Sequence, residues 1–401
     1  MVQGKHVGDF MDLIASYQNK FYRNDYKHVF SPYRICPLGA HVDHQHGLVT
    51  GMTLDHGIDF IYGKRQDRYV KIQSADFPDE EFFDMNNVPA YVPGSWGNYI
   101  RGAVIALSEN YKLTKGIEGI AHGSLPIGGL SSSAAVCSAY LLALAEANNI
   151  NLSKLELIDL ARHVENHFIG LNNGILDQAS NLLSENHKLL FMDTKTEEYQ
   201  LVDKPSSMPE FEVVVVYSGI SKSLVSTDYN NRVDECKAAA WYMQAMTTSN
   251  IDSFKSIRLR DISMKTFREV GLFLPNRFYK RAHHFYYENE RVERGVEAWK
   301  SGDLDTFGRL MFESGESSIH FYESGCPELI DLYRIMKKAP GMYGARFSGA
   351  GYRGCCIGLV NPKFKSEIKH IIENEYLKLY PQFSNIFRID FCKTDDGARI
   401  L

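Results

Sequence analysis

An arginine, an aspartate and three histidines are gathered in YRICPLGAHVDHQHG (33–47): Arg34, His41, Asp43, His44 and His46. Three His and an Asp have the donor types for zinc, but their spacing is not H-E-x-x-H, and one loop seldom supplies a full tetrahedral set. The same residues also make a donor and acceptor array for a polyhydroxylated ligand, or a polar surface loop. The segment alone does not choose. LPIGGLSSSAAV (125–136) carries adjacent glycines into a predicted helix, an arrangement that aims backbone N–H groups and a helix dipole at an anion such as phosphate. One of Ser131, Ser132 and Ser133 can then reach a phosphate-bound Mg²⁺. It is not a Walker A loop, since no Gly-Lys-Ser/Thr follows, and taken alone the segment reads better as a plain Gly turn with a Ser cap. In GLNNGILDQ (170–178), Asp177 falls in the first turn of a predicted helix, where the dipole favours a carboxylate. RFSGAGYRG (346–354) is a Gly-rich turn before an apolar strand, a place where backbone approaches something closely.

These residues need elements to hold them. HVFSPYRICPLG, LVTGMTLDHGIDFIYGK and RYVKIQSAD read as strands, and NYIRGAVIALSENY as a helix with Ile100, Val104 and Leu107 near one face. SSSAAVCSAYLLALAEANN reads as a Ser-capped helix. LSKLELIDLARHVENHFIG places Leu157, Ala161, Val164 and Phe168 at helical spacing and leaves Arg162 and Glu165 on other faces. Asn172, Asn173 and Gly174 make a turn before the helix ILDQASNLLSE. The polar, Pro-containing stretch 194–212 before VVVVYSG marks a boundary. Charged helices follow from about 228 to 340, then the 346–360 turn-strand unit and a last helix over about 362–379. His163, His167, His283 and His284 are assigned to helix faces without chemistry, and the pair Cys355-Cys356 to a buried strand.

The 401 residues are enough for two or three domains at roughly 100–200 residues each. With 44 Lys and Arg against 49 Asp and Glu, and no basic run, no nucleic-acid partner is expected. No apolar stretch reaches the roughly 18 residues of a membrane span, and no membrane partner is expected. The charged N-terminal segment has no h-region, so a secretory signal is not expected. Seven scattered cysteines without C-x-x-C spacing fit free thiols in a reducing cytoplasm.

Taken together, Arg34 with Asp43, the 125–136 loop, Glu165 with Asp177 and the 349–354 loop resemble the galactokinase branch of the GHMP small-molecule kinases. The likeness runs on through SWGNYIRG (95–102), STDYNNRVDEC (226–236) and FGRLMFES…CPEL (307–329), nearly the whole chain. It implies a mixed α/β (α+β) fold of two domains, 1–205 and 206–401. The first would be ribosomal-protein-S5-domain-2-like and the second ferredoxin-like, with the active site in the cleft between them. It also implies an ATP- and Mg²⁺-dependent sugar kinase, monomeric or homodimeric, that takes a sugar or sugar acid. By that resemblance Asp177 faces the anomeric hydroxyl and Arg34 holds it ionised, as an opposite charge at close range does. Ser133 and Glu165 match the Mg²⁺-associated positions. Gly128, Gly129 and Ser131 lie along the ATP phosphates with Ser132 beside them, and Trp96 and Tyr99 near the base. His41, Asp43, Gly174 and Tyr229 match sugar contacts.

Three departures narrow the expectation. The family's Gly-Glu-His-x-Asp reads Gly39-Ala40-His41-Val42-Asp43, so the Glu that meets the C6 hydroxyl of galactose is missing. Two carboxylates at about 4 Å repel by ~1 kcal/mol in water and ~4 kcal/mol at an effective dielectric of 20, so Ala40 suits a substrate with a C6 carboxylate. The third motif has Arg353 where the family has Gly, a cation for a uronate or for ATP, or a solvent-facing one. The second motif is one residue shorter than Pro-x-Gly-x-Gly-Leu-Ser-Ser-Ser. The pattern looks closer to the galacturonokinases, which implies phosphorylation of D-galacturonate at its anomeric oxygen. The alternatives are a galactokinase with relaxed C6 recognition and a non-catalytic sugar and ATP sensor.

Overall fold

The computed structural model describes residues 6–126, 128–220, 228–249, 252–351 and 354–401. Arg353 and residues 226–227 of the STDYNNRVDEC segment lie outside them.

The first half builds one sheet. After helix α1 (His6–Phe21), strands β1 (Lys27–Ile35) and β2 (Leu48–Lys64) pair antiparallel, followed by β3 (Tyr69–Ser74) and β4 (Glu80–Asp84). Helix α2 (Asn98–Ser108) leads to β5 (Ile117–Gly123), which lies between β2 and β3 and runs parallel to β3. Helices α3 (Ser132–Ala147), α4 (Lys154–His163) and α5 (Leu176–Leu183) precede the hairpin of β6 (Lys188–Asp193) and β7 (Tyr199–Asp203), and β6 joins the other end of β2. The long β2 shows why an apolar, β-rich run is buried on both faces: successive side chains point opposite ways. Phe60 and Tyr62 face α3, where Phe60 meets Tyr140 edge-on and the Tyr62 hydroxyl donates to Glu146. Ile61, between them, packs with Leu13 and Tyr17 of α1.

The second sheet begins with β8 (Glu212–Tyr217). Helices α6 (Tyr229–Thr247), α7 (Met264–Val270), α8 (Asn276–Ser301), α9 (Leu304–Ser317) and α10 (Pro327–Lys338) follow it. Then come β9 (Met342–Phe347), β10 (Cys355–Val360), α11 (Lys365–Leu379) and β11 (Arg388–Cys392). The strands lie in the antiparallel order β11-β8-β10-β9, fourth-first-third-second in chain order, which is the ferredoxin-like arrangement. The run of valines in β8 serves two interiors. Val214 and Val216 pack with α10 and α11, whereas Val213 and Val215 join the main core, which extends through α8 and α9 into the first half.

β7 lies within the polar 194–212 stretch, and β8 begins at its last residue, Glu212. The chain's end, however, returns to the first sheet: β12 (Thr394–Asp395) pairs with β2 and β13 (Arg399–Ile400) with β1. Three local expectations are corrected. The helix read over 152–170 is α-helical only from Lys154 to His163 and continues as a π-turn over Val164–Ile169, and Glu165, away from the apolar face, is nevertheless fully buried. Ser131 does not cap α3: it sits left-handed (φ 54°) with its hydroxyl turned elsewhere. The last helix starts at Lys365, after a short 3₁₀ turn over Pro362–Phe364.

Candidate functional site

A cleft of about 760 Å³, within the size range of small-molecule sites, is lined by most of the candidate residues from both halves of the chain. Arg34 projects from β1, and its Nε and one terminal nitrogen reach Asp177 Oδ1 at 2.8 and 2.7 Å. Asp177 stands in the first turn of α5, as its position before an apolar helix implies. Ser131, freed from capping by its left-handed backbone, donates its hydroxyl to Asp177 Oδ2. The residue expected along the ATP phosphates thus also holds the carboxylate. A carboxylate offers about four lone-pair sites. With two bonds on Oδ1 and one on Oδ2, Asp177 keeps acceptor capacity toward the cleft.

Glu165 comes to the same place from the π-turn. Its Oε2 accepts from Asn173 and Gln178 at 2.6 Å each, and Ser133 lies beside the carboxylate. Burial, and then Asp177, push its pKa up to about 7. Oε1 is buried and has no partner among the described residues. A buried carboxylate oxygen left open beside a hydroxyl is a hard-oxygen donor set of the kind Mg²⁺ takes, so the residues fit that ion.

The glycine loop meets the third motif backbone to backbone. Gly128 (φ 133°) and Gly129 (φ 87°) both need conformations that side chains rarely adopt. A Cβ on Gly129 would lie 2.8 Å from Cys355 Sγ, and one on Gly354 only 2.4 Å from the Gly128 carbonyl carbon. Ser348 donates to the Gly129 carbonyl. Ser131, Ser132 and Ser133 line the cleft at the head of α3, and so do Trp96 and Tyr99. Trp96 is anchored by its indole N–H on the Pro78 carbonyl at 3.2 Å. Beneath that turn, Glu81 and Arg101 form a buried two-point pair at 2.6 and 2.8 Å, and the bare Gly97 lets Glu81 in.

The 39–46 turn forms another part of the wall. Gly39 (φ 94°) and His41 (φ 62°) flank Ala40, and all three are buried. The His41 ring stacks on Tyr322, with centroids 4.2 Å apart and planes 6° apart. His44 Nε2 lies 3.1 Å from the Tyr322 hydroxyl, and the Gln45 amide donates to its Nδ1. Burial drives the pKa of His41 well below the usual range and that of His44 to about 3, so both are neutral. Asp43 accepts from the Leu176 N–H at 3.3 Å, and burial, then Asp177, push its pKa up to about 6. Gly174 packs so closely that a Cβ would be 2.4 Å from Asp43 Oδ2. Tyr229, at the start of α6, is buried on the cleft wall with its ring edge-on to His44.

These histidines do not converge on a metal. Among the described residues, the His, Cys and carboxylate donors that lie within 4.8 Å of one another are those of Asp55, His56 and Cys392. His284 does stand on a helix face, and that face is turned inward. It is fully buried on α8, with Nε2 2.9 Å from the Ala40 carbonyl and Nδ1 2.9 Å from Ser317 Oγ. One turn along, Glu288 accepts from the Gly39 N–H at 2.9 Å and pairs with Arg291 at 2.7 Å, while Arg346 lies 3.8 Å away and lines the cleft. Nothing in the local sequence marked His284, Glu288 or Tyr322, since their partners are some 240–280 residues distant. Arg346 was visible only as the first residue of the third glycine motif.

This geometry has known counterparts. Residues 98–185 match the GHMP kinases N terminal domain and residues 296–378 the GHMP kinases C terminal. A galacturonokinase of Arabidopsis thaliana is 41% identical over 397 residues, covering 93% of each chain. The chain belongs to the GHMP kinases, in their galactokinase branch. A galactokinase of Roseiflexus sp. (strain RS-1) is 31% identical over 97% of each chain. Among solved structures, the Lactococcus lactis galactokinase complexed with galactose superposes on this kinase with a TM-score of 0.89 at 28% identity, over 98% of this chain and 100% of that one. The Methanococcus jannaschii mevalonate kinase shares the fold, at a TM-score of 0.63 and 19% identity. The two-domain kinase fold and the dependence on ATP follow from that membership. No described helix is long and apolar enough to cross a membrane.

Proposed function

We propose that this kinase transfers the γ-phosphoryl group of ATP to the anomeric oxygen of D-galacturonate, giving galacturonate 1-phosphate and ADP. The observation that carries the substrate is Ala40. A methyl group stands in the cleft wall where a carboxylate side chain would repel a C6 carboxylate. The charge beneath it favours an anion as well. The ionised cluster that holds Gly39 consists of Glu288 with Arg291 and Arg346, one carboxylate against two guanidiniums, while His41, His44 and His284 are neutral. Asp43 of the same turn is mostly ionised above about pH 6 and offsets one of these guanidiniums, so the cation that can meet a ligand carboxylate is Arg346, which lines the cleft.

In this reading the anomeric hydroxyl donates a hydrogen bond to the open side of Asp177 Oδ2. Its oxygen bonds to the γ-phosphorus as the bond to the ADP oxygen breaks, and Asp177 receives the proton. Arg34 holds Asp177 and faces the charge developing on the transferring group. Gly128, Gly129 and the head of α3 would line the phosphates, with Ser132 at the first helical position, and Trp96 and Tyr99 the base. Asp43, His41, Gly174 and Tyr229 would shape the sugar subsite. Glu165 and Ser133 would hold Mg²⁺, which would supply positive charge to neutralise the phosphates. The 1–205 and 206–401 division would place the nucleotide loop in the first domain and β8–β11 in the second. We place the kinase in a reducing cytoplasm, monomeric or homodimeric, its seven cysteines being free thiols.

The deciding assay is ADP release with MgATP and matched galacturonate, galactose, glucuronate or N-acetylgalactosamine. Galacturonate is expected to be preferred. In Ala40→Glu, its kcat/KM is expected to fall from several-fold to about a thousand-fold. Preference for galactose by the unaltered enzyme would leave a galactokinase and remove the uronate reading.

A further inference from the structure

The turn that carries Ala40, His41 and Asp43 belongs to the first half of the chain, yet its backbone is gripped by a helix of the second. Two residues one turn apart on α8 hold the Gly39–Ala40 unit from both sides. Glu288 takes the Gly39 N–H at 2.9 Å, and His284 Nε2 reaches the Ala40 carbonyl at 2.9 Å. A carbonyl only accepts, so Nε2 carries the proton, and Nδ1 is the bare nitrogen that accepts from the Ser317 hydroxyl. The turn needs such a grip. Ala40 is flanked by Gly39 and His41, both left-handed, and for His41 that conformation costs free energy unless its surroundings enforce it. Gly39 is wedged as well, since a Cβ there would lie 2.6 Å from the Leu48 carbonyl oxygen and 3.2 Å from Val292 of α8.

We infer that His284 is a positioning residue for the sugar subsite: it fixes the direction of the Ala40 side chain and the seat of His41 through the Ala40 carbonyl. The inference rests on the reading of residues 40–43 as sugar contacts. The Ala40 carbonyl sets the tautomer of His284 and Ser317 holds the other ring nitrogen, so the specificity-bearing residue of the first half is aimed by α8 and the end of α9. Burial keeps the ring neutral, with its pKa pushed down to about 4, and the same donor is therefore present across the working pH range.

The test compares steady-state constants of the full chain with His284→Ala, His284→Gln and Ser317→Ala. A glutamine amide still donates to the Ala40 carbonyl and accepts from Ser317. His284→Ala is expected to raise the sugar KM about five- to tenfold while the ATP KM stays within about twofold, and His284→Gln to recover most of the loss. Ser317→Ala, the milder change, is expected to shift the sugar KM in the same direction by about twofold to threefold. Equal rises in both KM values, an unchanged sugar KM, or a glutamine variant no better than alanine would each overturn the inference. If His284→Ala fails to fold, the Gln and Ser317 variants decide it by the same KM split. Absence of sugar-dependent ADP release in the unaltered enzyme would instead remove the underlying function.

Discussion

At the scale of single residues, the site is a set of carboxylates held in different charge environments. Asp177 has Arg34 and Ser131 on its two oxygens, and Asp177→Asn is expected to lower kcat by about 10²–10⁴-fold with the fold intact, checked by turnover and melting together. Glu165 and Asp43 are buried without a cation bonded to them, which raises their pKa values to about 7 and about 6. An unfolded carboxyl releases its proton near pH 4. Between that pH and the raised value the folded chain binds more protons than the unfolded one, so this contribution to stability is largest in acid and declines until pH passes about 7. The ligand-free protein should therefore melt lower at about pH 8 than at about pH 6 from this source, and Glu165→Gln should narrow the gap. Calorimetry showing the same gap in that variant would exclude Glu165 as the group responsible. The types and order of Arg34, Asp43, Glu165 and Asp177 were legible in the sequence. The unpartnered Oε1 of Glu165 and the bond from Ser131 to Asp177 were not, because each depends on a local backbone departure, a π-turn in one case and a left-handed residue in the other.

At the scale of elements, glycines let segments of distant sequence touch. Gly129 sits against Cys355 of β10 and Gly174 against Asp43 of the 39–46 turn. Gly129→Ala adds a methyl 2.8 Å from Cys355 Sγ at a positive φ, a strain on the order of 1–3 kcal/mol, and should raise the ATP KM at least about tenfold. Gly174→Ala drives its methyl into the Asp43 carboxylate and should raise the sugar KM by about tenfold or more while sparing the ATP KM. Measuring both constants in both variants separates the two subsites; a shared pattern would mean that the loops fail as one unit. The glycine motifs announced close approach but not what is approached, since contact between the second and third motifs spans more than two hundred residues.

At the scale of the whole molecule, the last residues close the first sheet. Ile400 pairs with Val29, the Leu401 N–H donates to the His28 carbonyl, and the Gly397 and Ala398 N–H groups bond to the end of α5, the helix that carries Asp177. Deleting residues 394–401 should lower the melting temperature by several degrees and expose the outer edge of β1 to pairing between chains, although none of the removed residues lines the cleft. Calorimetry and light scattering on the truncated chain check this, and an unchanged melting point would show that the tail merely rests on the sheet.

The sequence by itself determined what depends on local spacing. Apolar and β-branched runs placed most helices and the strands β1, β2, β3, β8 and β10, glycine and serine clusters marked the loops, and the ordered motifs carried the likeness to a kinase branch together with the unusual Ala40. Tertiary structure alone decided what depends on long-range approach. It brought α8 under the 39–46 turn, seated His284 on the Ala40 carbonyl, buried Glu165 and sent the C-terminus back to the first sheet. The physical reason is that periodicity encodes which face of an element is buried, whereas the identity of the buried partner is set by packing between elements far apart in the chain.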